Sequence, residues 1–326
     1  MLVCYTLHGS GCIVYRGERQ NVRGAHEGSE PSAPEGGHVM GPDSGGFHQF
    51  AVITDSTADI APEIARDRGI EVVPLAVTIE GETLRDGTLT QVEFFERMGR
   101  ASALPTTSQP SVGAFAEAYA AALERAGSVI SVHISEKLSG TIESARAAAE
   151  QFAGKVHVFD SLNLSWGLGW QVIDAAAAAR EGLGVEETLA RLARTRDEVK
   201  LIVGLDSLEN LRKGGRIGAV SSMLGSLLNL KVTLTVDAEG AFQPVARTRG
   251  EKAALEHTLD WIGERMGSAS KARFAVGHAL AEERAHRLAD SIRQRWDATE
   301  LVIYEAGSVI CAHTGTGWGI AVWPED

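Results

Sequence analysis

With 326 residues the chain is long enough to bury two cores, and its 44% apolar and 23% charged residues are ordinary for a globular protein. A formal net charge of −12 argues against phosphate-backbone binding as the main task, so no nucleic-acid partner is expected. No apolar run approaches a membrane span, and residues 1–15 lack the basic start and continuous apolar region of a signal peptide, so a cytoplasmic location is expected. Cys4, Cys12 and Cys311 form neither a disulfide framework nor a zinc-ligand spacing.

Residues 1–49 are rich in glycine, carry Pro31, Pro34 and Pro42, and show no sustained period. Such a stretch buries too little surface to offset the entropy of ordering. It reads as disordered, or as an over-extended gene start with Met40 as the natural first residue. His8, His26, His38 and His48 are too irregularly spaced to suggest a metal site, and none is expected.

The globular chain opens with an apolar strand over residues 50–56 that runs into Asp55-Ser56. A helix over 62–68 follows, closed by Gly69, and then a strand over 70–79 with Glu80-Gly81 as its turn. Thr90-Gln-Val-Glu93 is a capping-box pattern that starts a helix through Met98. Residues 105–111 read as a loop, with Ser111 capping an amphipathic helix over 112–125. Next come a β-branched strand from Val129, the turn Leu138-Ser-Gly-Thr141 and an alanine-rich helix running to Phe152. A strand over 155–159 ends in a second Asp-Ser pair, Asp160-Ser161.

Residues 166–196 read as two helices broken near Gly182-Leu-Gly184, and a strand over 201–205 runs into a third pair, Asp206-Ser207. Residues 230–236 and 242–248 form an antiparallel hairpin about the turn 237–240. Helix 251–266, strand 273–278, helix 282–296 and strand 301–305 complete the pattern before a glycine-rich loop, 312–317, and an apolar end. The fold class expected is α/β in two domains. An N-terminal parallel α/β sheet domain (50–165) faces a C-terminal α+β domain with a mixed sheet (166–326), with the ligand cleft between them.

Four polar loops fall where strands end or helices begin: Thr106-Thr-Ser-Gln-Pro-Ser111, Leu138-Ser-Gly-Thr141, Lys213-Gly-Gly-Arg216 and His313-Thr-Gly-Thr-Gly317. They share an ability to donate hydrogen bonds to an anion, although turn chemistry alone accounts for most such loops. No carboxylate pair suits glycoside hydrolysis, and no Gly-x-Ser-x-Gly or Gly-x-x-x-x-Gly-Lys-Ser/Thr occurs, so no cofactor or nucleotide-phosphate loop is expected. The three Asp-Ser pairs read as caps and turns rather than metal ligands. His133 and His157 read as hydrogen-bonded core residues, while His278 either faces the cleft or merely ends its strand. His313 reads as the histidine placed to act.

Thr54-Asp-Ser56, Thr107-Ser-Gln-Pro-Ser111, Ser139-Gly-Thr141 with Ser144-Ala145, Asp160-Ser161, Gly214-Gly-Arg-Ile217 and His313-Thr-Gly315 occur in the order seen in DegV proteins. Over residues 50–326 the chain resembles that family of fatty acid-binding proteins, some of which are acyl-carrier subunits of the bacterial fatty acid kinase. The resemblance implies a long-chain fatty acid in a buried apolar tunnel and a separate ATP-dependent kinase subunit that forms the acyl-phosphate. It implies a carrier that is not catalytic alone, with transient membrane contact for lipid exchange. Thr107 and Ser139 would hold the carboxylate with His313 close by, and Arg216 would lie at the cleft mouth facing the kinase. Ser108, Gly140, Thr141 and His278 are secondary candidates. Two features depart from the pattern: Lys231 is followed by Val232 where the family commonly has proline, and residues 1–49 have no counterpart.

Burying an acyl chain of about sixteen carbons supplies on the order of 12 kcal/mol before association costs, at roughly 0.8 kcal/mol per methylene. A charge-assisted hydrogen bond returns only about 1.5–3 kcal/mol. The tail would therefore drive affinity while Thr107, Ser139 and His313 fix position. Two other readings use the same residues: a hydrolase or acyltransferase with Ser139 as nucleophile and His313 as base, and a binder of another small lipid anion.

Overall fold

The computed structural model describes residues 2–7, 12–17, 48–223 and 230–325. Strands β1 (Leu2–Leu7) and β2 (Cys12–Gly17) form a hairpin whose second strand pairs with a late strand of the chain. Both strands fall within the segment expected to be disordered or over-extended. Ile13 and Val14 are β-branched and meet an edge strand with unpaired backbone groups, and Val14 is buried there. Residues 18–47, with His26 and His38, lie outside the described residues.

The globular chain begins with β3 (His48–Asp55), a 3-10 turn (Ser56–Ala58), α1 (Pro62–Arg68) and β4 (Ile70–Val73). Gly69 closes α1 in the left-handed conformation its sequence position implies. The single strand expected over 70–79 is two. Pro74 has no N–H for a ladder, so the chain leaves the sheet after Val73 and starts β5 (Ala76–Ile79) elsewhere. There β5 pairs with β6 (Glu82–Arg85) about the Glu80-Gly81 turn and with β7 (Thr106–Ser108), a short strand inside the expected loop. Between them α2 (Gln91–Arg100) starts with the full capping box of Thr90 and Glu93.

Helix α3 (Val112–Leu123), capped by Ser111, leads to β8 (Ala126–His133), α4 (Thr141–Ala149) and β9 (Val156–Asp160). The four strands run parallel in the order β4-β3-β8-β9. Phe115, Tyr119 and Ala145 of α3 and α4 cover one face with Ile53 and Val129 of the sheet. On the other face lies α5 (Ser165–Glu181), buried almost all round, where Trp166 and Trp170 cross edge to face at 4.8 Å.

The rest of the chain is α6 (Val185–Glu198), β10 (Lys200–Leu205), α7 (Glu209–Lys213), β11 (Leu230–Val236), β12 (Phe242–Arg249), α8 (Glu251–Met266) and β13 (Lys271–Ala279). It ends with α9 (Glu282–Arg295), β14 (Asp297–Glu305), α10 (Ser308–Thr314) and β15 (Gly317–Glu325). The sheet order β1-β2-β14-β13-β15-β10-β11-β12 is mixed, since β13 and β14 run parallel and the other pairs antiparallel. Helix α5 contacts β3 and β8 of the parallel sheet and β10 and β15 of the mixed one. It is a wall common to both halves.

Candidate functional site

Local sequence rules place each of the four polar loops. β7 alternates, so Thr107 is half-buried while Thr106 and Ser108 point to solvent. Ser108 is thereby set on the face opposite Thr107. Gly140 stands at the N-terminus of α4, where Ser139 Oγ accepts from the Thr141 N–H at 3.3 Å and lies 2.8 Å from Thr141 Oγ1. Ser139 thus serves the helix start itself, and Thr141 is fully buried beneath it. The stretch expected as a glycine-rich loop at 312–317 differs most. Residues 308–314 coil into α10, so His313 projects from the last turn of a short helix and Gly315 ends it in the left-handed region.

The loops touch in sequence around a ring. Thr107 Oγ1 and His313 Nε2 are hydrogen-bonded at 2.8 Å, although 206 positions apart. Gly214 packs on the other side of that imidazole: a Cβ there would stand 2.5 Å from His313 Nδ1. Arg216 Nη1 donates to the Gly214 carbonyl at 2.7 Å and its Nε to the Leu138 carbonyl at 3.4 Å. Gln109 completes the circuit, since a Cβ on Gly140 would meet its Oε1 at 2.3 Å, and its Nε2 donates to Ser144 Oγ at 2.9 Å. The absence of a side chain at Gly140 and Gly214 is what lets these loops close on one another.

His313 is held as a neutral ring. Burial pushes its pKa down from 6.5 to about 4, and the nearby Arg216 guanidinium adds to the fall. Its Nδ1 is buried with no hydrogen-bond partner. The Ser139 hydroxyl pairs with Thr141 and His313 with Thr107, so the structure does not form the Ser139–His313 contact that a nucleophile and its base require.

Next to Ile310 and Thr314 of α10 lies a narrow apolar slot with a cavity of about 40 Å³. Its floor is the face of the mixed sheet that carries Gly277, Ala279, Gly317 and Gly319, and Leu164, Phe242 and Tyr304 close it in. Alternation makes this room. Phe274, Val276, Trp318, Ile320 and Val322 pack on the opposite face in a separate core, leaving the glycines and alanines of β13 and β15 toward α5. Ile310 and Thr314 of α10 line the slot, and His313 leaves the same helix at the ring. His278 reaches the slot through its backbone; alternation puts its side chain on the Phe274 and Val276 face, beside Glu282 and His286 of α9. Its ring is held neutral by burial.

The three Asp-Ser pairs divide in role. Asp55 caps the first 3-10 turn through Thr57 and accepts from His133 Nδ1 at 2.9 Å, within a fully buried network that runs on through Ser131 to Tyr119. Asp160 accepts the Leu162 and Glu136 N–H groups, a turn role. Asp206 is no cap. It binds Lys231 at 2.6 Å and Arg284 at 3.1 Å, with the Thr316 hydroxyl at 2.9 Å. No group of potential metal ligands is found among the described residues.

A cleft and a tunnel were expected, but the strands that line the slot were not named, though they left a trace in the sequence. Ala275-Val-Gly-His-Ala279 and Gly317-Trp-Gly-Ile-Ala321 both place small residues at every second position. Two adjacent strands with a period-2 run of missing side chains will leave a groove wherever they face a rigid neighbour.

A mixed sheet facing a parallel sheet covered on both faces defines a mixed α/β fold of two domains. The family model described as "Uncharacterised protein, DegV family" matches residues 49–325, and the chain belongs to the DegV family. A DegV domain-containing protein of Deinococcus radiodurans is 38% identical over 277 residues, covering 84% of this chain and 98% of its own. A DegV family protein from Thermus thermophilus, whose structure is described for its fatty acid binding, superposes with a TM-score of 0.82 at 37% identity, covering 85% of this chain and all of its own. DegV of Bacillus subtilis, a fatty acid-binding protein, gives a TM-score of 0.77 at 29% identity over 85% of this chain and 100% of its own. No helix among the described residues is long and apolar enough to cross a membrane.

Proposed function

We propose that this chain binds a long-chain fatty acid, with the acyl chain in the slot and the carboxylate at Thr107, Ser139 and His313, and presents that carboxylate to a separate kinase subunit. The observation that carries this reading is that one short helix serves both places: it lines the apolar space with Ile310 and Thr314 and holds His313 against Thr107. Fatty acid binding by the Thermus thermophilus and Bacillus subtilis relatives supports it. A neutral imidazole and two hydroxyls offer donors to a carboxylate without a buried counter-charge, so the head group is fixed while the tail supplies the affinity. Arg216 is exposed at the rim, where it would meet the phosphoryl donor. The division into domains at residue 165 belongs to the same proposal, with α5 as their common wall.

Lipid extraction and mass spectrometry of protein purified from a bacterial host test the binding. A stoichiometric fatty acid is expected. Its absence, together with failure to take up added palmitate or oleate, would overturn the assignment. The serine-nucleophile reading loses support from the hydrogen bonds already described, and a fluorophosphonate probe is expected to leave Ser139 unlabelled.

A further inference from the structure

Asp59 and Asp86 meet at the seam between the two halves, outside the four loops. Asp59 follows the 3-10 turn after β3 with a left-handed backbone (φ 52°), and Asp86 follows β6. Gly307, at the corner between β14 and α10, lies against both. A Cβ there would stand 3.1 Å from Asp59 Oδ1 and 3.2 Å from Asp86 Oδ2. The Gly307 N–H donates to Asp59 Oδ1 at 2.9 Å, and the Val309 N–H donates to Asp86 Oδ1 at 3.2 Å. Asp59 Oδ2 accepts from Ser165 Oγ at 2.5 Å, and that hydroxyl lies 2.7 Å from Tyr304 OH. Trp166 Nε1 donates to the Asp59 carbonyl at 3.0 Å.

Helix α10 has no side-chain cap of its own and is only seven residues long, so it does not hold its place unaided. What holds its first turn is a pair of carboxylates from the other half of the molecule. What its last turn carries is His313. We propose that Asp59 and Asp86 are positioning residues for the acid site: they fasten the corner at residues 307–309 to the opposite half and so set where α10 delivers His313. The proposal rests on the reading above only for what His313 binds.

The fastening responds to protons. Burial raises the Asp59 pKa from 3.8 to about 7, against the bonds from Ser165 and Gly307, and Asp86 and Asp55 add to the rise. Asp86 is raised in the same direction, chiefly by burial. The other ionisable groups at this seam are the Cys311 thiol, Glu305 at the end of β14, and Glu63 and Arg66 of α1. Because the folded pKa lies above the unfolded one, the contribution of Asp59 is full below 3.8 and is lost as pH rises through about 7. Above that point the Asp59 carboxylate is a buried negative charge beside Asp86 at this corner.

The test follows the His313 imidazole by NMR in the ligand-free protein, together with the Kd of a fluorescent fatty acid. In the native chain the His313 signal is expected to show an inflection near pH 7 that reports Asp59. Asp59→Asn, which keeps an acceptor for the Gly307 N–H, should retain the His313 signal and lose the inflection. Asp59→Ala should shift the His313 pKa upward and weaken acid binding roughly tenfold, the loss of one charge-assisted hydrogen bond. If folded Asp59→Ala keeps the native His313 titration and acid affinity, the proposal is overturned. A drop in Tm with no change at His313 overturns it equally, as a purely structural role. Should Asp59→Ala not fold, Asp86→Ala and the native inflection decide the matter. If no variant binds fatty acid, the proposed function fails while the His313 titration still judges the positioning.

Discussion

Thr107 and His313 share one hydrogen bond, and that bond limits what each can offer a carboxylate. Thr107→Val removes the hydroxyl at constant volume and leaves Nε2 unpaired; acid affinity is expected to fall roughly tenfold with little change in Tm. Ser139→Ala should act likewise on head-group fixation, read as lost phosphorylation with the lipid retained. Unaffected phosphorylation in both variants would contradict the roles assigned. The neutral His313 makes two signed predictions. Its folded pKa of about 4 lies below the ordinary 6.5, so its contribution to stability is present above 6.5 and lost as pH falls toward 4, on the order of 3 kcal/mol. His313→Gln should flatten that loss in a series of melting curves. A carboxylate bound beside the ring favours the imidazolium, so acid affinity should rise as pH falls from 7 to 5 in the native chain and not in His313→Gln.

At the scale of elements, β13 and β15 make the slot by what they lack. The Cβ position of Gly319 has only ordinary contacts, at 3.7 Å from the Ile202 carbonyl and 3.9 Å from Val203 Cγ2. Gly319→Leu should therefore fold, at less than the ~1–3 kcal/mol of an overpacked core, and fill the slot. Binding of a sixteen-carbon acid is expected to drop at least tenfold while a much shorter acid is kept, measured by competition with a fluorescent fatty acid. Equal binding of both would place the acyl chain elsewhere. Gly277→Ala is a different case, because its new carbon would meet the Tyr304 ring at 2.4 Å and force that wall to move. Among the connections, Glu80-Gly81, the Thr90 box and the Gly182 stop were legible because turn and cap chemistry is local. The break at Pro74 was also written in the chain, but the strand propensity around it hid the change of sheet.

Across the whole molecule, the ring exists only because loops from positions 107, 140, 214 and 313 close on one another. Arg216 is exposed beside the ring and is proposed to face the kinase, so Arg216→Ala should leave fatty acid binding intact and reduce acyl-phosphate formation with a partner kinase. Loss of both would move Arg216 into the binding site itself. The seam held by Asp59, Asp86 and Ser165 spans the same two halves that the ring joins. Loosening one side is expected to be felt at the other, because α10 runs between them.

The linear order of residues settled the alternation of strands and helices, the positions of caps and turns, and the four polar loops. Those depend on periodicities and hydrogen bonds within a few positions. It also bore the family resemblance, which named Thr107, Ser139, Arg216 and His313. Tertiary structure alone decided that His313 sits on a helix and pairs with Thr107, that Ser139 bonds Thr141 at the start of α4, and that His278 turns away from the slot. It alone made α5 a wall for two sheets and brought Asp59 and Asp86 to one glycine. Each of those contacts joins residues far apart in the chain, and such contacts follow from how large and small side chains fill the space between sheets rather than from any local propensity.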